Sequence, residues 1–328
     1  MRSAILNPLP PPLKLLPIGS IKSIENPKDH WLIEDLWTAR GVGVLGGAPK
    51  TCKTFLAVDL ALSVATGSKA LGRFEVRAPG PVVFFAAEDA PTLLRERFSA
   101  LAAHRDLKLA SLNVLVPDVP VLRLDDREDQ DRLERAIVAL KPRLLVLDPL
   151  VRLHALDENS ASEISPLLAF LRRLERDNDL AILLVHHTRK NVSAAAQPGI
   201  GLRGTSDLHA WGDSNLYLRR SGDDLVLTGE HRSARAPEPM HLRLVAQPAP
   251  HLELTSREPG EESPDESFAE EVFWCLKNAP GPQRLEDLRG RLCVRKQRLV
   301  EALRELTKAH RVIQGPEGFA CALGGPDD

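Results

Sequence analysis

Cysteine is scarce in this chain. There are four in 328 residues, Cys52, Cys275, Cys293 and Cys321, and none forms a C-x-x-C pair. That spacing argues against thiolate zinc ribbons and a disulfide framework, and it fits reduced thiols in a cytosol. Excess charge of one sign is missing too. Lys and Arg number 43 against 45 Asp and Glu, a net charge of −2, so any affinity for nucleic acid must come from a local patch. No apolar run is long enough to cross a bilayer, and MRSAILNPLPPPLKLLPIGS lacks a signal-peptide core. The expectation is a cytoplasmic protein with no membrane partner. Aromatic residues make up only 4% of the chain, which alongside much Leu, Ala and Arg reads as compositional bias rather than function.

What is present suits a soluble globular chain, with 43% hydrophobic and 27% charged residues. The length leaves room for one large domain and a small one. Residues 1–28 are proline-rich and read as an extended arm. Trp31 to Trp37 then leads into a first strand, Val42 to Gly46. Further buried strands are expected at Pro81–Ala87, Arg143–Leu147 and Ala181–Val185, with helices at Pro91–His104, Arg127–Leu140 and Ser162–Asp177 between them. Continuous apolar strands alternating with amphipathic helices predict an α/β fold with a mainly parallel sheet covered on both faces. Alternating segments at 216–219, 224–228, 240–245 and 251–254 predict strands that extend this sheet by hairpins. The large domain is therefore expected over 29–255.

Gly47-Ala48-Pro49-Lys50-Thr51-Cys52-Lys53-Thr54 fills the phosphate-loop pattern G-x-x-x-x-G-K-[ST] except at its second glycine, which is Cys52. The loop follows a strand and precedes the apolar helix Phe55–Ala65, the context such a loop requires. Its backbone N–H groups and the helix N-terminus are suited to bind the phosphates of ATP. Lys53 is expected to reach the β- and γ-phosphates, and the Thr54 hydroxyl to ligate Mg²⁺. A cysteine at position 52 crowds the phosphates and strains the backbone if φ is positive there. A thiol at a helix N-terminus beside Lys53 also opens the reading of redox control.

Asp148 leaves a hydrophobic strand beside that loop and is placed to hold Mg²⁺. Glu88 ends the strand before it, where carboxylates point into the ligand crevice; it is the candidate to orient or deprotonate the attacking water. Neighbouring Asp89, ahead of Ala90-Pro91, suits a helix cap better. His186 and His187 end the next strand, and a histidine there can donate to the γ-phosphate; a metal reading of the pair lacks a third ligand at suitable spacing. Arg219 and Arg220 at a strand end are ordinarily surface charge, but in an oligomeric ATPase such arginines also enter a neighbour's site.

Residues 256–267 are acidic and contain Pro259, Gly260 and Pro264, a linker signature. Beyond it, over 268–325, helix patterns at 268–278, 285–292 and 294–308 precede a hairpin at 312–323, which together resemble a winged helix-turn-helix. From Gly281 to Ile313 there are nine Lys/Arg against four Asp/Glu, with Arg295, Lys296 and Arg298 at the start of the recognition helix. Duplex DNA is the partner this pattern suits; protein contact or dimerisation is the alternative.

Taken in order, Gly47…Lys53-Thr54, Ala86-Ala87-Glu88-Asp89, Leu145-Val146-Leu147-Asp148, Val185-His186-His187-Thr188-Arg189-Lys190 and Leu202-Arg203-Gly204-Thr205-Ser206 resemble RecA-like ATPases of the hexameric RepA plasmid-helicase group, and more distantly DnaB-type helicases. The resemblance covers roughly residues 30–250. It implies a homo-oligomeric ring, a hexamer, with ATP sites between neighbours, Glu88 at the water, Asp148 at the metal and His187 sensing the γ-phosphate. It also implies a trans-acting arginine at Arg220 or Arg219. The loop Lys190–Gly201, with Arg189, Lys190 and Arg203, would face single-stranded DNA in the ring. Two functions follow as expectations: a DNA-dependent ATPase of helicase type, or a nucleotide-switched DNA-binding regulator with little turnover.

Overall fold

A computed structural model describes residues 15–21, 26–119, 121–188, 206–221, 224–246, 249–255, 264–277, 279, 281–292, 296–316 and 318–322, without the side chains of 206, 264–267, 271, 290, 291 and 296–298. By its contacts the chain divides into two compact units. One runs to Arg219 and includes Leu227–Met240 and Leu244–Glu253; the other comprises Arg220–Val226, His241–Arg243 and the chain from Leu254 on.

The first unit opens on a short antiparallel ribbon, β1 (Trp31–Ile33) and β2 (Trp37–Thr38), where the sequence gives only a lead-in. The strands β3 (Val42–Gly47), β4 (Val82–Ala86), β5 (Val114–Leu115), β6 (Leu144–Asp148) and β7 (Ala181–His187) follow, with helices α1 (Lys53–Thr66), α2 (Pro91–His104), α3 (Arg127–Leu140) and α4 (Ala161–Asn178). After α5 (Ser206–Trp211) come β8 (Ser214–Ser221), β9 (Asp224–His231), β10 (Met240–Val245) and β11 (His251–Leu254). The nine-stranded sheet has the order β11-β10-β9-β8-β3-β7-β6-β4-β5. From β8 to β5 the neighbours are parallel. The short connections from β8 through β11 require hairpins, since a parallel return needs a crossover of a dozen residues or more. The sheet is mixed and mostly parallel, as its sequence pattern predicts.

Strand alternation sends Val44, Phe85, Leu147 and Leu184 into one core with Leu133 and Ile137 of α3 and Leu167 and Leu171 of α4. Intervening residues such as Phe84 face the opposite side, where Phe84 meets Phe98 of α2 edge-on at 5.7 Å. Helices on both faces leave the ends of the strands as the place for ligands. Local sequence sets the helix ends. Asp126 caps α3 by accepting from Glu128 N and Asp129 N, and Gly67, at φ 74°, closes α1 with its N–H on Ser63 O.

The strand that carries the phosphate loop is held tightly. Val42 N donates to Asp213 Oδ2 at 3.1 Å and Val44 N to Asn215 Oδ1 at 3.0 Å. A Cβ on Gly43 would come within 1.6 Å of the Ser214 carbonyl oxygen, so only glycine fits against β8.

In the second unit lie α6 (Pro264–Lys277), α7 (Leu285–Leu292), α8 (Lys296–Lys308) and the antiparallel hairpin β12 (Val312–Gly315) and β13 (Gly318–Cys321). Phe268, Val272, Leu288, Leu299, Leu303 and Leu306 form its core. Helix α6 begins at Pro264, inside the stretch read as linker. Proline suits the first turn of a helix as well as a linker, so composition alone did not separate them.

Candidate nucleotide site

Parallel register collects the functional side chains. Gly47 pairs with His187 and Ala86 with Asp148, so the loops after β3, β4, β6 and β7 leave the sheet at one edge. There Lys50, Thr51, Cys52, Lys53, Thr54, Phe55, Glu88, Arg97, Asp148, Pro149 and His187 line an open cavity of about 350 Å³.

Gly47 must be glycine, because a Cβ would lie 2.6 Å from Leu218 O and 2.7 Å from Thr51 Oγ1. Thr51 braces the loop by donating to Ala48 O at 2.8 Å. Lys50 and Cys52 both adopt positive φ, 64° and 61°. Cys52 is left-handed at the N-terminal boundary of α1, where the usual pattern has its second glycine. A non-glycine residue there costs on the order of 1–2 kcal/mol.

Lys53 is 6% exposed, and its Nζ donates to Gly47 O at 3.0 Å and Ala48 O at 2.8 Å. Burial lowers its pKa to about 8 against the opposing pull of Asp148, Cys52 and Glu88. Asp148, 7% exposed, is raised to about 6 by burial, although a hydrogen bond from the Thr54 hydroxyl acts the other way. A half-buried hydroxyl beside a buried carboxylate makes a hard oxygen donor set that fits Mg²⁺. A buried ammonium folded onto loop carbonyls fits a phosphate that would draw it outward.

Glu88 lies two residues beyond the end of β4 rather than at it, and its Oε1 accepts from Arg152 Nε at 2.7 Å. Asp89 does not cap α2. Ala90 occupies that boundary without a side-chain bond, and Asp89 instead pairs with Arg97 on the same helix, whose guanidinium lies 5.2 Å above the Phe55 ring. Arg97 lines the cavity and escaped sequence reading, because nothing in its helical surroundings marks it. Strand alternation separates the two histidines. His187 lines the cavity, while buried His186 turns its Nδ1 to within 3.6 Å of Glu158 Oε1, which also lies 3.7 Å from His154 Nε2.

Arg219 and Arg220 extend β8 past Leu218; both are exposed and neither lines the cavity of their own chain. Arg189, Lys190, Arg203 and Arg295 lie outside the described residues, as do the side chains of Lys296 and Arg298.

The AAA domain family (AAA_25) matches residues 9–193, more than half of the chain. Among solved structures, the chain is similar to a DnaB-like replicative helicase studied with its interactions with primase. That match has a TM-score of 0.50 and 15% identity over 64% of this chain and 56% of the helicase, so the chain spans little more than half of that relative. It is also similar to the RadB recombinase, with a TM-score of 0.48 and 14% identity over 67% of this chain and 93% of that one. The phosphate loop, the parallel sheet around it, the family match and the likeness to the helicase structure converge: the chain belongs to the AAA domain family and is a P-loop ATPase of RecA-like fold.

Proposed function

We propose that this protein is a DNA-dependent ATPase, a helicase-type or DNA-remodelling motor that works as a homo-hexameric ring in the cytoplasm during replication or recombination. One observation carries the reading: Lys53, Thr54, Glu88, Asp148 and His187 converge on one cavity at one edge of the sheet. The likeness to a DnaB-like replicative helicase supports the choice of DNA as the partner.

In this reading the backbone N–H groups of Lys50 to Thr54 at the start of α1 hold the triphosphate of ATP, and Lys53 leaves the carbonyls of Gly47 and Ala48 to neutralise it. Thr54 and Asp148 hold Mg²⁺, which when bound offsets charge on the phosphate oxygens. Glu88 exchanges Arg152 for the attacking water and accepts its proton. His187 donates to the γ-phosphate, and loss of that bond on hydrolysis releases the loop that follows β7, with Arg189, Lys190 and Arg203, from single-stranded DNA. Arg219 or Arg220 serves the neighbouring subunit's site. Residues 29–255 form the motor and 268–325 a winged helix that grips duplex DNA through Arg295, Lys296 and Arg298.

A second reading is a nucleotide-switched DNA-binding regulator without turnover, and the left-handed Cys52 inside the phosphate loop favours it. Strand displacement with wild type, Lys53→Ala and Cys52→Gly separates the two. The motor requires ATP-driven unwinding in wild type that Lys53→Ala abolishes. Nucleotide binding without turnover in all but Cys52→Gly overturns it.

A further inference from the structure

Away from the nucleotide cavity, three potential metal ligands meet at the end of α2 and the start of β11: His104, His251 and Glu253. One ligand atom from each lies within 4.8 Å of the other two. We propose that this cluster is a binding site for a transition-metal cation of the zinc class, held by His104, His251 and the Glu253 carboxylate.

The hydrogen bonds of His251 carry the argument. Its side chain is 2% exposed, and Nδ1 lies 2.6 Å from Ala249 O. A carbonyl oxygen only accepts, so Nδ1 carries the hydrogen and Nε2 of the neutral ring is a lone pair. That lone pair lies 2.7 Å from Glu253 Oε1, which also only accepts when ionised. Two acceptors at that distance need a positive particle between them, either a proton or a metal ion. An imidazole anchored by a backbone carbonyl at one nitrogen and facing an acid at the other has the orientation that metal-bound histidines have.

His104 supplies the third potential ligand. Its ring stacks on His251 with centroids 3.5 Å apart and an interplanar angle of 21°. The cluster offers two imidazoles and one carboxylate, a set that suits Zn²⁺, whereas Mg²⁺ and Ca²⁺ prefer oxygen alone. The charge balance agrees. Arg105, the next residue, is tied to buried Asp59 and donates to Ser63 Oγ at 2.7 Å, so its charge is already compensated and Glu253 contributes one net negative charge. Binding displaces the shared proton to solvent. Exposed His104 turns out of the stack to present its nitrogen in the ring plane, at about 2.0–2.1 Å from the metal, and water completes the shell. The bound ion clamps the last turn of α2 to β11.

Cobalt(II), which reports four-coordinate geometry through strong visible bands, is the probe, added to the untagged, nucleotide-free full-length chain. One equivalent should produce those bands, and Zn²⁺ should displace them. Glu253→Gln and His104→Ala, both at exposed positions, should each weaken binding at least about tenfold, while Thr54→Ala, which alters the nucleotide site, should leave the bands intact. Zn²⁺ should raise the Tm of the wild type and of neither ligand variant, with metal-free melting of each variant reporting its fold. Bands that persist in both ligand variants, or only the weak six-coordinate spectrum in wild type, overturn the proposal.

Discussion

Arg152 Nε donates to Glu88 Oε1 at 2.7 Å, so the carboxylate that lines the nucleotide cavity is engaged from the segment just after β6. Both side chains are partly exposed, and the pair therefore adds little to stability. In the proposed mechanism its consequence is kinetic, because Arg152 competes with the attacking water for the Glu88 carboxylate. Arg152→Ala should raise DNA-independent ATP turnover several-fold, with ATP affinity within about twofold of wild type if the pair makes no contact with the nucleotide. A fall in turnover would instead assign Arg152 a direct part in the site.

Nucleotide affinity should have a maximum near neutral pH. Asp148 is raised to about 6, so as pH falls below that value the carboxyl takes up a proton and loses its hold on Mg²⁺. Lys53 is lowered to about 8, so above that value the free protein loses the ammonium that meets the phosphates. Equilibrium binding of a fluorescent ATP analogue across pH 5–9 should weaken on both sides, by close to tenfold per pH unit on each limb. A flat profile over that range contradicts both assignments.

The Thr54 hydroxyl is the hydrogen bond that favours ionised Asp148. In Thr54→Ala the buried carboxyl loses that support, and the acid limb of Mg²⁺-dependent binding should move to higher pH. Thr54→Ser should restore it, which separates the hydroxyl from the methyl group. Titration of Mg²⁺ at fixed ATP analogue in the three proteins reads the shift.

Cys52→Gly removes a side chain from a left-handed residue. Folding stability should rise by about 1 kcal/mol, less the entropy that glycine gains in the unfolded chain. Urea unfolding measures the change. ATP affinity should rise alongside by up to about tenfold, the equivalent of ~1.4 kcal/mol. A variant less stable than wild type would mean that the thiol makes a contact worth more than the backbone strain.

The phosphate loop and the strand ends that meet beside it were largely legible in the sequence because their parts are local. Strand, loop and helix are contiguous at Val42–Thr66, and Asp148 and His187 sit at the ends of short apolar runs that alternate with helix patterns, as the strands of a parallel sheet do. Arg97, Arg152 and the Asp89–Arg97 pair were not legible. Their roles depend on which face of a helix or turn meets the cavity, and charged residues on helices are mostly solvated. Strand β5 went unread because two residues carry no period. The meeting of His104 with His251 and Glu253 depends on tertiary packing between distant segments, which no local pattern encodes.

The central claim is that this site turns over ATP in response to DNA. Steady-state ATP hydrolysis, measured with and without single-stranded DNA for wild type and Glu88→Gln, tests it directly. The account predicts Mg²⁺-dependent turnover that DNA stimulates in wild type and that falls by about 10²–10⁴-fold in Glu88→Gln with nucleotide binding retained. Tight nucleotide binding by wild type with no turnover at any DNA concentration would contradict it.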